Sequence, residues 1–156
     1  MLPPQGTESQ RIRGGVSGAV ASFLDFSYAD SYVPAMAPPM AHLAQLVHSL
    51  LQRPGVQAVL LASADGLAVE SASHGSLDGE AVAALAATAM RQAARLGEAA
   101  GRGQPTLAVF EYDRGLVIQA RVGAGDWLVL LTAPDADVGE LLYDLRQHQP
   151  ALAALL

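Results

Sequence analysis

Residues 80–100 read EAVAALAATAMRQAARLGEAA, an alanine-rich run that predicts one long helix. Apolar residues recur along this run at helical spacing, so they form a stripe that can lie on a β-sheet. The stripe consists of Val82, Leu85, Ala86, Ala89, Ala93, Leu96 and Ala100. A second row beside it, with almost no polar cover, consists of Ala83, Ala87, Met90 and Ala94. Because small side chains let another helix approach closely, the second row either receives a partner helix or reflects only the helix propensity of alanine.

Polar and glycine-rich segments bound this helix. Ser76 or Asp78 can cap its first turn, and Asp78 also suits the positive end of the helix dipole. Three glycines, at positions 97, 101 and 103, mark its end. We therefore expect the helix to lie within residues 76–103.

The segment before the long helix predicts another helix and a β-hairpin. An amphipathic pattern over residues 43–51 indicates the first helix. Residues 56–63 are almost continuously apolar, as in a strand that is buried on both faces. Asp65 and Gly66 then predict a tight turn because both residue types tolerate positive φ, and residues 67–73 form the return strand.

Three strand candidates follow the long helix, at residues 106–112, 116–122 and 127–132. Tight turns rich in Gly and Asp separate them, which indicates an antiparallel meander. Asp137 and Glu140 have the spacing of a capping box at the start of a last helix, which we expect to end near Pro150. The order α-β-β-α-β-β-β-α predicts a layered α/β (α+β) domain with helices packed on a sheet.

We place this domain at residues 40–148, followed by a short tail at residues 149–156. Residues 1–39 show no sustained periodicity, and we expect them to form a disordered extension. Alternatively, translation starts at Met36 or Met40, and the residues before that methionine are wrongly assigned to the protein. A basic start followed by a weakly apolar run also suggests a secretory signal. Polar residues dilute that run and acidic residues follow it, so the extension is the favoured interpretation.

The composition excludes several classes of protein. The 156 residues carry a net charge of -6, which gives no cationic footprint for a nucleic acid. All nine basic residues are arginine, so the lysine of a P-loop or of a Schiff-base enzyme is absent. The chain has no cysteine for disulfides or thiolate sites, and no apolar run approaches the ~20 residues of a membrane span.

Few side chains suggest a chemical site. The four histidines are not spaced as metal ligands. His74 lies near Ser76 and Asp78, which suggests a nucleophile group, but a helix cap accounts for the latter two. Arg91 and Arg95 share a helix face, where they either meet acidic groups of a partner or of a second copy, or pair locally with Glu98 or with solvent.

Taken in order, these segments resemble the Roadblock/dynein light chain family, a branch of the profilin-like and longin-like folds. The resemblance covers residues 40–148, and within the family the chain looks like a bacterial Roadblock-domain protein. Its carriers are the hairpin around Asp65-Gly66, the alanine-rich helix that ends at Gly101, and the meander over residues 107–131. The leucine-rich last helix is a weaker match.

The resemblance implies a five-stranded antiparallel sheet flanked by helices, in a cytoplasmic module that is no enzyme and needs no cofactor. Such modules homodimerise through the central helix and the edge strand after it, bind a Ras-like small GTPase, and modulate its nucleotide cycle or localisation. Carried over to this chain, the dimer interface comprises Ala83, Ala87, Met90, Arg91, Ala94, Thr106, Ala108 and Phe110. The alternatives are a structural scaffold subunit without effect on GTP turnover and, with least support, a small-ligand sensor or an enzyme.

Overall fold

The structure, a computed structural model of the chain, describes residues 39–154 and, within them, all side chains except those of residues 39–41, 148, 149, 151 and 152. Three helices and five strands make up this part. They are α1 (Pro39–Leu51), β1 (Val56–Ala62), β2 (Ala68–Ser73), α2 (Gly79–Ala99), β3 (Leu107–Tyr112), β4 (Gly115–Val122), β5 (Asp126–Thr132) and α3 (Val138–Ala153). The predicted order of elements is confirmed. The extension predicted at residues 1–39 lies outside the described residues, apart from Pro39.

The five strands form one antiparallel sheet in the order β2-β1-β5-β4-β3. β5 is the middle strand and β1 lies beside it, and most residues of both strands are buried. This position explains their almost continuous apolar sequences, because a strand covered on both faces has no side open to water. The two edges of the sheet are β2 and β3.

The register of the strands determines which side chains share a face of the sheet. Leu60 of β1 lies opposite Val129 of β5, and both belong to the core under α2. Because successive side chains of a strand point to opposite faces, Val59 and Leu130 lie on the other side. α1, which packs against β1 and β2, and α3, which packs against β4, cover that side.

α2 lies on the sheet with a face that differs in part from the one predicted. Ala83, Ala87 and Met90 are at most 2% exposed. Leu85 and Leu96, which we predicted on the sheet, are 69% and 70% exposed. Val82, Ala86 and Ala93 of the predicted stripe do pack in or against the core, so the predicted orientation is wrong for the two leucines and right for these three residues. The physical reason is side-chain volume, since a row of small residues lets α2 approach a sheet that the large side chains of β1 and β5 already fill.

Acidic residues cap the two later helices. Asp78, rather than Ser76, caps α2, because its Oδ1 accepts a hydrogen bond from the backbone N–H of Ala81 at 3.0 Å. Asp137 caps α3 in the same way, accepting from the backbone N–H of Glu140 at 3.0 Å. Both helix starts agree with the cap residues that the sequence offered.

α3 is longer than its sequence predicts and is joined to the end of α1. The helix continues through Pro150 to Ala153, so the predicted end near Pro150 is wrong and most of the predicted tail is helical. A proline removes one backbone hydrogen bond, and a helix can continue past it at that cost. Arg53 Nη2 lies 2.6 Å from Asp144 Oδ2, and Arg53 Nη1 lies 3.8 Å from Glu140 Oε1. These ion pairs hold the first half of α3 in place.

The tight turn predicted between β1 and β2 is present. Gly66 N–H donates to the Ser63 carbonyl at 2.9 Å, and Ser63 N–H donates to the Leu67 carbonyl at 2.9 Å. Gly66 has φ +88°, and a Cβ added to it would come within 3.1 Å of Ala84 Cα in α2. Backbone conformation and close contact therefore both require glycine here.

An acidic side chain lies along the open edge of β2. His74 N–H donates to the Gln57 carbonyl of β1 at 3.0 Å. Since alternate residues of a strand direct their N–H groups to the same side, the N–H of Ser71 points away from β1. Glu70 Oε1 accepts a hydrogen bond from this N–H at 3.3 Å. The carboxylate thus accepts a hydrogen bond from the Ser71 backbone N–H, which an added strand would otherwise bind.

Candidate interaction surface

The interface residues that the family resemblance implied fall into two groups. Ala83, Ala87 and Met90 are buried in the chain's own core and offer no surface to a partner, which corrects their predicted place at a dimer face. Arg91 and Thr106 are exposed, and Ala94, Ala108 and Phe110 are half-buried. For this second group, a place at an interface stays a prediction.

The outer side of α2 carries a mostly apolar row that no described residue covers fully. We call its members, Leu85, Ala89, Gln92 and Leu96, the outer row. They recur at spacings of four, three and four residues, so they lie along one line of the helix. Both leucines are more than two-thirds exposed. Covering such a leucine stabilises a complex by about 1–2 kcal/mol, so the outer row favours contact with a second helix.

The sheet has an open edge at β3. β3 pairs only with β4 among the described strands, so one side of its backbone has free N–H and C=O groups. Ala108 and Phe110 lie opposite Gln119 and Val117 of β4. Ala108 and Val117 pack at the margin of the core that Val82 of α2 also borders. Val82 of α2 and Ala108 of β3 therefore border the same core, on the face of the sheet that α2 covers.

A buried amide lies in β4, the strand next to this edge. Gln119 is 3% exposed and lies between Ala108 of β3 and Val129 of β5. Its Oε1 has no hydrogen-bond partner among the described residues. Because a buried acceptor without a donor costs free energy, we expect Gln119 to weaken the fold rather than to stabilise it.

A second side of α2 carries arginine, and we call its members, Ala84, Thr88, Arg91 and Arg95, the basic flank. Arg91 Nη2 donates to Thr88 Oγ1 at 2.7 Å, and Thr88 Oγ1 donates to the Ala84 carbonyl at 2.9 Å. Arg95 is exposed and forms no ion pair with Glu98 in the structure. The local pairing that the sequence allowed is therefore not formed.

The residues weighed as a catalytic group serve local structure. His74 Nε2 lies 3.1 Å from the Leu51 carbonyl at the end of α1, and Asp78 caps α2. The described part of the chain contains no cluster of three or more histidine, aspartate or glutamate side chains that could hold a metal ion. Within residues 39–154, no helix is long and apolar enough to cross a membrane.

A cleft of about 260 Å³ is lined by Arg121, Gly123, Arg146, Pro150 and Ala153. Arg121 lies opposite Trp127, a residue of the core under α2, and its Nη2 donates to the Ala124 carbonyl at 3.2 Å. The cleft is smaller than the roughly 300–1,000 Å³ of ordinary small-molecule sites. It gives no support to the interpretation as a small-ligand sensor.

Comparison with known proteins agrees with this architecture. A family model described as the Roadblock/LC7 domain matches residues 43–132, more than half of the chain. The chain belongs to the Roadblock/LC7 family. The matched residues run from α1 to the end of β5 and so include the whole sheet, the outer row and the basic flank.

Solved structures of other Roadblock/LC7 proteins share the fold. A Roadblock/LC7 domain from Streptomyces avermitilis is 32% identical, with a TM-score of 0.52, covering 67% of this chain and 91% of that one. A second domain structure from the same organism is 26% identical, with a TM-score of 0.61 and coverages of 72% and 89%. The gliding protein MglB from Thermus thermophilus is 17% identical, with a TM-score of 0.70 and coverages of 81% and 96%. No curated protein matches the sequence.

Proposed function

We propose that this chain is a non-catalytic regulatory or adaptor module that homodimerises and binds a Ras-like small GTPase in the cytoplasm. The observation that carries the proposal is a Roadblock/LC7 domain with two exposed features, the outer row on α2 and the open edge of β3. Exposed apolar rows of this kind mark protein–protein contacts. The likeness to a bacterial gliding protein agrees with a regulatory role.

The dimer follows from the two exposed features together. Two copies related by a two-fold axis can align their α2 helices antiparallel, so that Leu85 of one copy contacts Leu96 of the other. Ala89 lies near the crossing point, where a small side chain allows close approach. The β3 edges pair in the same arrangement, and the two five-stranded sheets join. Closed two-fold pairing is the commonest form of oligomer.

The effect on the GTPase is conformational. The chain has no lysine to place on a nucleotide phosphate. We infer that it acts by binding one conformation of the GTPase better than another, which shifts the population of a switch segment. The conformation of the GTPase that the module binds best determines how the nucleotide cycle or the localisation of the GTPase changes.

Affinity capture tests this function. The full chain is immobilised and incubated with lysate of the source cell, with a non-hydrolysable GTP analogue in one sample and GDP in the other, and bound proteins are identified by mass spectrometry. Retention of a small GTPase in one nucleotide state supports the regulatory role. Retention in both states indicates a scaffold instead. Failure to retain any GTPase in either state refutes the proposal.

A further inference from the structure

The basic flank is ordered by its own side chains. Thr88 accepts from Arg91 and donates to the carbonyl of Ala84, which forms a continuous chain of hydrogen bonds on the helix surface. An exposed arginine ordinarily loses side-chain freedom when it binds a partner, and that loss weakens binding. In this structure, the Arg91 guanidinium is hydrogen-bonded to Thr88, which favours one side-chain conformation before any partner binds.

Helix stability does not explain these arginines. The last turn of α2 has no basic residue, so Arg91 and Arg95 lie too far from the helix end to interact with the dipole. Glu98, the one carboxylate after them on the helix, forms no ion pair with Arg95. An acid placed C-terminal to its basic partner is also the weaker orientation for such pairs. Neither guanidinium is paired with a carboxylate of its own helix, so both can bind an acidic group of a partner.

The basic flank stays open in the proposed dimer. Arg91 lies about 120° around the helix from Leu85, and Arg95 about 100° from Leu96, so pairing through the outer row does not cover them. On its other side, the flank meets the hairpin turn, where Gly66 packs against Ala84. Leu67, the next residue, is 64% exposed. From Ala84 to Arg95 the helix rises about 16 Å, long enough for one side of a protein contact.

We propose that the basic flank together with Leu67 docks an acidic surface of the partner protein, with Arg91 and Arg95 bound to its carboxylates. The inference rests on the proposed function, which makes that partner the small GTPase. A guanidinium matches a carboxylate in geometry and charge. Arginine is among the residue types that are enriched at the energetic centre of protein interfaces. A nucleic acid is disfavoured because the chain carries a net charge of -6.

The experiment uses the full chain and the GTPase that affinity capture identifies. Dissociation constants are measured in the preferred nucleotide state for the wild type, for R91E/R95E, and for the matched control R114E/R146E, which changes two exposed arginines elsewhere by the same charge. We expect R91E/R95E to weaken binding by about tenfold or more, because like charges then face each other, and the control to change it less than threefold. Thr88→Val, which removes the hydroxyl that Arg91 bonds, should weaken binding several-fold, whereas Thr88→Ser, which keeps a hydroxyl, should bind as the wild type does. Light scattering of R91E/R95E should still report a dimer.

Each outcome decides the inference. If the GTPase binds the wild type and R91E/R95E equally well, the docking surface is refuted and the proposed function stands. If R91E/R95E becomes monomeric, the arginines belong to the dimer contact and the inference fails. If the wild type retains no GTPase at all, the proposed function is refuted, and the inference that rests on it is refuted as well.

Discussion

From the orientation of α2, we predict different effects of truncating two of its side chains, Met90 and Leu96. Met90 is 2% exposed and lies in the core under the helix, whereas Leu96 is 70% exposed. Truncation of a buried methionine to alanine costs about 2–5 kcal/mol, since it removes buried apolar surface and leaves a cavity. Met90→Ala should therefore lower the free energy of unfolding by that amount at every protein concentration.

Leu96→Ala should act on association instead. In a monomer, the exposed side chain contributes less than about 0.5 kcal/mol to the free energy of unfolding. In a two-fold dimer, each copy loses about 1–2 kcal/mol of apolar contact, which sums to about 2–4 kcal/mol for the pair. The dimer dissociation constant should then rise by about 30- to 1,000-fold.

Urea unfolding followed by circular dichroism, over a hundredfold range of protein concentration, separates the two effects. Sedimentation equilibrium gives the dissociation constant of each variant. If Leu96→Ala lowers the stability of the monomer as much as Met90→Ala does, α2 is turned the other way on the sheet and the description of its faces is refuted. If Leu96→Ala leaves a tight dimer unchanged, the outer row is not the contact.

Three further predictions concern single positions of the fold. Gly66→Ala should lower the free energy of unfolding by about 1–3 kcal/mol because Gly66 has a positive φ, whereas Gly75→Ala, which has open space around it, should leave the melting temperature unchanged. Equal effects of the two substitutions would contradict the turn geometry. Asp144→Asn should weaken the fold by about 1–3 kcal/mol, measured in urea, because Arg53 loses the carboxylate it bonds; a neutral result would show that this pair does not hold α3. Gln119→Leu should leave the melting temperature equal or higher, since it removes a buried oxygen without a partner among the described residues; a large loss would reveal a bond to that oxygen.

The sequence predicts the order of elements well because local signals set it. The turn at Gly66 has a residue type that positive φ requires, and the two central strands are continuously apolar because both of their faces are covered. Helix starts at Asp78 and Asp137 follow from cap chemistry within a few residues. Each of these signals depends only on neighbours in the chain, so one sequence is enough to recognise it.

The rotation of α2 and the length of α3 depend on contacts that are distant in sequence. α2 is apolar over two adjacent rows, and periodicity does not tell which row faces the sheet when both rows are apolar. The choice is made by packing against the side chains of β1 and β5, where Ala83, Ala86 and Met90 fit. Pro150 predicts a helix end, yet α3 continues past it. The hydrogen bond between Thr88 and Arg91 shows only once a rotamer is known, although their spacing of three residues allows it.

The carboxylate of Glu70 along β2 has a consequence for assembly. Two sheets that join at β3 form a continuous sheet whose two ends are both β2. Each end then presents the Ser71 N–H already bonded to an acidic side chain, and the two ends repel a third copy by charge. In the proposed dimer, growth by edge pairing beyond two copies would be disfavoured, and the joined sheet would resist forming fibres.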